Sequence, residues 1–373
     1  MMNCAVIIPI YRDYLNPLEK FSLDNNIRKL NRFPIYFVIP KTLPTDFLQT
    51  YSDLRFVRFD DKFFQGYKGY NKLMLSEEFY RSFENYEKIL ICQLDAYVFS
   101  NRLEYFCNLP YDYIGAPAFL SYNEGGTCEI QPGNGGFSLR DVKNTLRLLK
   151  CHADERDAWK GTEDAFFSFC AMKYPKEFRM PTTALAVSFA FDRFVSTMYE
   201  WNDYNLPFGI HAWPTYASQF VCSFLTEEQN RLLDGVLRKY TVEEILCPLY
   251  AFMSRNSPIV LYGAGVWGKF VARAIQLLHG NVKCFVVSDG YAKPEQKILG
   301  IPVYWISEID HFSSGTGAIL SMEQRYLALE ERKAIQKTCQ EIRKRGVDEV
   351  FDIDSQLFSF VAEFVLRKEG RRF

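Results

Sequence analysis

Short apolar runs alternate along the first half of the chain with longer stretches whose apolar positions recur at helical spacing. Ala5-Val6-Ile7-Ile8-Pro9-Ile10 is apolar on both faces, as a strand inside a parallel sheet must be, and a proline ends it. A helical pattern runs from about Pro17 to Leu30, and a second apolar run, Ile35-Tyr36-Phe37-Val38-Ile39, is again closed by a proline, Pro40. Phe56-Val57-Arg58-Phe59, a helix around Tyr70–Phe83 and the strand Lys88-Ile89-Leu90-Ile91-Cys92-Gln93-Leu94-Asp95 follow. Strands alternating with helices predict an α/β layer structure with a mostly parallel sheet, whose ligands bind beyond the carboxyl ends of its strands.

Beyond Phe224 the pattern changes. Thr226-Glu227-Glu228 opens a helical stretch through Tyr250, with Leu232, Leu233, Val236 and Leu237 at helical spacing. Ser257-Pro258 breaks it, and a new strand begins at Ile259. The expected organisation is a large domain over 1–224, a helical connector over 225–255 and a small α/β domain over 256–373. The length of 373 residues, at about 150 per domain, agrees with more than one core.

Charge narrows the function classes. Lys+Arg 44 against Asp+Glu 45 leaves no basic field to gather nucleic acid. Ten cysteines form no C-x-x-C pair, and Cys4, Cys92 and Cys284 sit in apolar runs, a usage that suggests a reducing compartment. The first residues carry no basic region or cleavage site of a secretory leader, and no apolar run approaches 18 residues, so a cytoplasmic protein is expected. Aromatics are in excess, and 43 of the 61 fall in the first 220 residues.

Four constellations can carry chemistry. Asp95, closing an apolar strand, would face the ligand crevice and could coordinate a divalent cation, or simply cap the next turn or pair with a lysine. Pro132-Gly133-Asn134-Gly135-Gly136 could let backbone approach a ligand closely, or be a tight turn into the strand Phe137-Ser138-Leu139. Thr162 reads as an N-cap with Glu163 and Asp164 in the first helical turn; a carboxylate there could also serve as general base. His211, one of only four histidines, lies in the aromatic loop Pro207-Phe208-Gly209-Ile210-His211-Ala212-Trp213 and reads as a ligand or as a structural histidine.

In this order the motifs resemble a bacterial family of GT-A-type glycosyltransferases tied to surface polysaccharide synthesis. The likeness spans roughly residues 3–220. It rests on Val6–Tyr11, Gly69–Leu75, Gln93–Phe99, Asp112–Pro117, Gly133–Arg140, Glu163-Asp164 and Pro207–Trp213. The resemblance implies a GT-A-like, mostly parallel sheet flanked by helices, and transfer of a sugar from a nucleoside diphosphate (NDP)-sugar to a hydroxyl of a glycan acceptor, with inversion. It implies nucleotide contacts at Pro9, Ile10 and Tyr11, and sugar-nucleotide contacts at Tyr70, Asn71 and Lys72. A manganese or magnesium ion would be held by Asp95 and His211, Asp164 would be the base with Glu163 beside it, and Asn134-Gly135-Gly136 would leave room for a sugar. One departure stands out. Gln93 replaces the first aspartate of the D-x-D pattern, so it would contact ribose or a phosphate-bound water, and the diphosphate would supply most of the metal's oxygens. Tyr11, Tyr67, Tyr70, Tyr97, Phe137 and Trp213 flank this site as candidate stacking platforms.

In the second domain Tyr262-Gly263-Ala264-Gly265-Val266-Trp267-Gly268 joins a strand to a helix as G-x-G-x-x-G, and Asp289 lies 21 residues beyond Gly268, about where an acid reaches a ribose. Phe270 after Lys269 excludes a Walker A site. This reads as a small Rossmann-like module, either binding a nucleotide or serving structure or oligomerisation. The last helix shows Leu357, Phe360, Val361, Phe364 and Val365 on one face before Arg367, Lys368, Arg371 and Arg372. It would close this domain or lie on an anionic membrane holding a lipid-linked acceptor. Two other functions compete: an NAD-dependent sugar dehydrogenase or epimerase using the second domain, against which no Tyr-x-x-x-Lys pair occurs, and a non-catalytic carbohydrate- or nucleotide-binding protein, favoured by Gln93.

Overall fold

The computed structural model describes residues 3–51, 55–122, 128–237, 242–290, 296–322 and 329–369. Two compact units form, one from Met1–Ala118 with Ile130–Arg238, the other from Phe119–Glu129 with Lys239–Phe373. Both are α/β units built on mostly parallel sheets flanked by helices.

The strands β7 (Pro117–Tyr122) and β8 (Cys128–Pro132) straddle the division of the chain, and the first unit carries β1 (Cys4–Pro9), β2 (Ile35–Pro40), β3 (Arg55–Phe59), β4 (Lys88–Cys92), β5 (Tyr97–Val98), β6 (Tyr113–Gly115), β9 (Phe137–Asp141), β10 (Ala190–Phe191) and β11 (Gly209–Ile210). Its main sheet has the order β3-β2-β1-β4-β9-β6, parallel from β3 to β4 and antiparallel at β9 and β6. β1 and β4 are buried throughout, which is why they read as unbroken apolar runs. A second sheet of three two-residue strands, β10-β11-β5, stands beside it; β7 and β8 pair as a ribbon.

The helix Pro17–Leu30 begins at Asn16, whose side chain accepts from the Glu19 amide in a capping box. The expected single helix over Tyr70–Phe83 is two, Gly66–Met74 and Glu77–Arg81. Ser76 stops the first and caps the second, accepting from the Phe79 amide at 3.2 Å. The expected connector likewise divides: the helix Glu227–Leu233 belongs to the first unit and the helix Val242–Arg255 to the second.

The second unit's sheet, β12 (Ile259–Tyr262), β13 (Val282–Val287), β14 (Lys297–Ile298), β15 (Ile301–Trp305), β16 (Gly317–Leu320) and β17 (Glu349–Asp352), has the order β14-β15-β13-β12-β16-β17. All pairs but β14–β15 are parallel, and the order reverses beside β12, as in doubly wound sheets. The last helix, Ser355–Lys368, buries Leu357, Phe358, Val361 and Val365 inside this unit, with the Phe358 ring stacked 4.0 Å from Trp267. Of the expected apolar face, Leu357, Val361 and Val365 close this unit, while Phe360 and Phe364 are half-buried. Arg371 and Arg372 lie outside the described residues. Among the described residues, no helix is long and apolar enough to cross a membrane.

Candidate active site

The small sheet assembles the centre of the site. Asp192 directly follows β10 and His211 directly follows β11, parallel strands in register at Phe191 and Ile210. β5 runs the other way, with Tyr97 opposite Ile210, so the residues before it reach the same end. Asp95 therefore meets His211 across more than a hundred residues of chain, and Asp192 meets the other nitrogen of the same ring. The turn holding Asp95 closes by the Ala96 amide donating to the Gln93 carbonyl at 2.9 Å, so β4 stops at Cys92 and not at Asp95.

Two buried asparagines of the helix Pro17–Leu30 pin that turn. The Asn26 amide donates to the Ala96 carbonyl at 2.7 Å, its oxygen accepts from the Val98 amide at 2.9 Å, and Asn25 donates to the Val98 carbonyl at 2.8 Å. The Trp213 indole donates to Ser22 at 2.8 Å, and the Trp213 amide donates to the Asp95 carbonyl at 3.2 Å.

His211 Nδ1 lies 3.0 Å from Asp192 Oδ1, and Nε2 lies 3.1 Å from Gln93 Oε1 and 3.4 Å from Asp95 Oδ1. Burial works against charge on the ring, but Asp95 and Asp192 more than offset it and push its pKa up to about 10. Burial likewise opposes ionisation of Asp95, and the facing imidazolium still holds that carboxyl below its ordinary range. The Asp95 side chain is 43% exposed, yet its Oδ1 is buried without a hydrogen-bond partner. Gln93 Oε1, Asp95 Oδ1 and His211 Nε2 thus converge, while Asp192 occupies the other ring nitrogen, as second-sphere carboxylates do for metal-bound histidines. This donor set fits a divalent cation that brings further oxygens on its own ligand, at the cost of one proton from Nε2. Among the described residues, no group of three His, Cys, Asp or Glu side chains gathers as a metal site by itself.

The glycine turn separates this centre from a second one. β9 runs antiparallel to β4 with Phe137 opposite Cys92, so the Gly136 carbonyl accepts from the Gln93 amide at 2.9 Å. A Cβ on Gly136 would sit 2.0 Å from His211 Nε2, and one on Gly135 would sit 2.0 Å from Glu163 Oε1. The glycines are needed because the protein's own side chains close on the turn from both sides. Asn134 Oδ1 accepts from the Gly136 amide at 3.0 Å, holding the turn's shape.

Glu163 and Asp164 open the helix Glu163–Lys173, capped by Thr162, which accepts from the Ala165 amide at 3.3 Å. Asp164 is half-buried; its Oδ2 accepts from the Gly135 amide at 3.2 Å and its Oδ1 from the Ala165 amide at 2.8 Å. Glu163 is buried, its Oε1 accepting from Arg140 Nη2 at 3.0 Å and its Oε2 meeting no partner. Arg140 is fully enclosed, donating also to Ser138 Oγ, the Tyr80 hydroxyl and the Gly135 carbonyl. Burial raises the Glu163 carboxyl to about 7; Arg140 opposes the rise and Asp164 adds to it. The helix Gly66–Met74 joins here through Asn71, whose side-chain oxygen accepts from the Glu163 amide at 2.6 Å, and through Tyr70, whose hydroxyl is buried. Burial and then the Glu163 charge raise the Tyr70 phenol; Gln93 lies beside it without a hydrogen bond of good geometry.

The expected residues divide accordingly. Gln93, Asp95, His211, Asn134, Gly135, Gly136, Glu163, Asp164, Tyr70 and Asn71 are brought together, although Asn71 is spent on the backbone of the Glu163 helix and on the Tyr67 carbonyl. Lys72 is exposed and, two residues from Tyr70, projects from the other side of the helix. Ile10 is wholly in the core and Pro9 is buried, whereas Tyr11 is 55% exposed, with the guanidinium of its neighbour Arg12 5.1 Å from its ring centre. Trp213, Phe137 and Tyr97 are buried core, not stacking platforms. Asp192, Arg140, Asn25 and Asn26 escaped the sequence reading. The only signals were an arginine inside an apolar strand and paired asparagines inside a helix that disfavours them.

In the second unit Gly263 has φ +111°, a Cβ on Gly268 would sit 2.0 Å from the Gly263 carbonyl oxygen, and a Cβ on Gly265 would meet nothing within 4 Å. Asp289 is exposed and accepts from the Ser307 amide at 3.1 Å and hydroxyl at 2.7 Å.

A family described as a protein of unknown function (DUF5672) matches residues 53–211, a stretch holding every member of the Tyr70–His211 cluster. No curated protein matches the chain. Among solved structures it is similar to the galactosyltransferase LgtC in complex with donor and acceptor sugar analogues, at 11% identity and TM-score 0.40, over 64% of this chain and 97% of that one. It is also similar to the apo form of the glycosyltransferase GlyE of Streptococcus pneumoniae TIGR4, at 12% identity and TM-score 0.36, over 93% and 100%. A third likeness, over 48% and 55%, is to the mannosyltransferase PcManGT of Pyrobaculum calidifontis in complex with GDP-Man and Mn2+, at 14% identity and TM-score 0.30.

Proposed function

We propose that the first unit is a GT-A-type glycosyltransferase that moves a sugar, with inversion, from an NDP-sugar to a hydroxyl of a glycan acceptor of the surface-polysaccharide kind. The observation carrying this reading is the convergence of Gln93 Oε1, Asp95 Oδ1 and His211 Nε2 at the carboxyl end of β4, one glycine turn away from the Glu163–Asp164 pair. A manganese or magnesium ion bound by Asp95 and His211 would supply positive charge against the departing diphosphate. Asp192 fixes the ring of His211, and Gln93 lines the same position. Tyr11, exposed where β1 ends, offers a face to the nucleoside. Asp164 Oδ2 takes the proton of the acceptor hydroxyl, while the Gly135 amide and Thr162 hold that carboxylate in place. Lys72 has no part in this arrangement.

The turn Gly263–Gly268 in the second unit supports a nucleotide phosphate there in a Rossmann-like module. One glycine makes the turn, Gly265 leaves open space and Gly268 packs against the strand, with Asp289 at the end of β13 for a ribose.

Asp164→Asn is expected to abolish sugar transfer while binding of the sugar nucleotide, followed by calorimetry, survives. Full turnover by this variant would contradict Asp164 as the base.

A further inference from the structure

Arg140 lies within β9, between β4 and β6, with no surface exposed. Its guanidinium and the Glu163 carboxylate have both given up water for one 3.0 Å contact, and an enclosed ion pair of this kind stabilises no better than apolar side chains of similar volume. Nor do the neighbours of Arg140 need it to satisfy them. The Tyr80 hydroxyl accepts from Arg140 but also donates to the Met74 carbonyl at 3.0 Å. Ser138 Oγ accepts from Arg140 and donates to the Gly135 carbonyl at 2.9 Å. Without Arg140, each of these groups would keep a bond.

What the guanidinium does hold is geometry. Its Nη2 donates to the Gly135 carbonyl at 3.2 Å and to Glu163 Oε1 at 3.0 Å, so one nitrogen clamps the glycine turn to the first residue of the helix Glu163–Lys173. Asp164 is the next residue of that helix, and its Oδ2 accepts from the amide of the same Gly135 at 3.2 Å. A closed ring results, from Gly135 through Arg140 and Glu163 to Asp164 and back. Gly135 has no side chain to restrict its backbone, so these bonds set its conformation. Gly136 is fastened separately: its carbonyl accepts from the Gln93 amide and its amide donates to Asn134 Oδ1. The side of the turn facing His211 therefore does not rely on Arg140.

We propose that Arg140 is a positioning residue for sugar transfer, clamping Gly135 to the Glu163 helix so that Asp164 Oδ2 is held where the acceptor hydroxyl loses its proton. Glu163 is then the anchor of the clamp and not a second base. This rests on the reading of Asp164 as the base of the first unit. In that step the acceptor oxygen bonds to the anomeric carbon and its proton passes to Asp164 Oδ2. The bond from that carbon to the diphosphate breaks, and its electron pair leaves with the diphosphate. Arg140 touches none of the reacting atoms; it acts through Gly135 and Glu163.

The test replaces the ion pair with apolar groups in the full chain, combining Arg140→Met with Glu163→Leu. Melting temperature is followed first, then calorimetric affinity for UDP and GDP with Mn2+ present. The third readout is diphosphate release from UDP-glucose, UDP-galactose, UDP-N-acetylglucosamine and GDP-mannose, with water standing in for the acceptor. The double variant is expected to melt close to the wild type and to bind the diphosphates within about twofold, yet to release diphosphate about a hundredfold more slowly. Arg140→Met alone melts lower than the double variant, because it leaves the Glu163 carboxyl buried without its partner. A double variant that turns over at the wild-type rate overturns the assignment. So does one that melts far lower and loses diphosphate affinity in parallel with rate, the mark of a merely structural pair. A wild type that releases diphosphate from none of the four donors instead overturns the functional reading, and the assignment with it.

Discussion

Gly135 and Gly136 show how closely individual residues are fitted at this site. Each lacks the one carbon that would collide with a functional side chain, Glu163 on one side and His211 on the other. Gly135→Ala and Gly136→Ala are each expected to lower stability by about 1–3 kcal/mol, the range for overpacking, measurable by urea unfolding. Gly136→Ala should also weaken Mn2+ binding, whereas Gly135→Ala should spare it. Glu163 makes a different prediction. The folded chain keeps its proton up to about 7, while an unfolded glutamate loses it near 4.5, so the folded state holds more protons between those values. Stability contributed by this group is therefore complete below about 4.5, falls as pH rises and is gone above about 7. Melting temperature of Glu163→Gln relative to wild type should rise across that window; a flat difference would contradict the raised pKa.

At the scale of elements, what was legible followed from burial. β1, β2, β4, β12 and β13 are apolar on both faces and could be read directly, as could the capped helices beginning at Pro17 and Glu163. β5, β10 and β11 could not, because two residues carry no periodicity. Asp192 was invisible for that reason: only the register of β10 with β11 makes it a neighbour of His211. Motif order could find Asp95 and His211 but could not find the residues that hold them. Asn26 is the sharpest case, since it bonds the Ala96 carbonyl and the Val98 amide, just past Asp95, from a helix about seventy residues earlier. Asn26→Ala should cost about 1–3 kcal/mol for the buried backbone groups it strands, read by urea unfolding. Asp192→Asn should leave the fold intact and reduce Mn2+ affinity about 10–100-fold, read by calorimetry.

Across the whole molecule, the aromatic excess of the first 220 residues is chiefly core. Phe79, Phe83, Phe106, Phe137, Phe166 and Trp213 are buried, and Tyr11, two residues past the end of β1, is exposed. Two units with separate sheets and separate cores imply that the first can carry chemistry on its own residues, and all ten clustered site residues lie within it. The most direct measurement is release of nucleoside diphosphate from a panel of NDP-sugars, with and without Mn2+, by wild type and Asp95→Asn. The expected result is metal-stimulated release from at least one donor by the wild type, and a loss of at least about a hundredfold in Asp95→Asn. No release from any donor, or equal release by Asp95→Asn, would contradict a sugar-transfer site at Asp95 and His211.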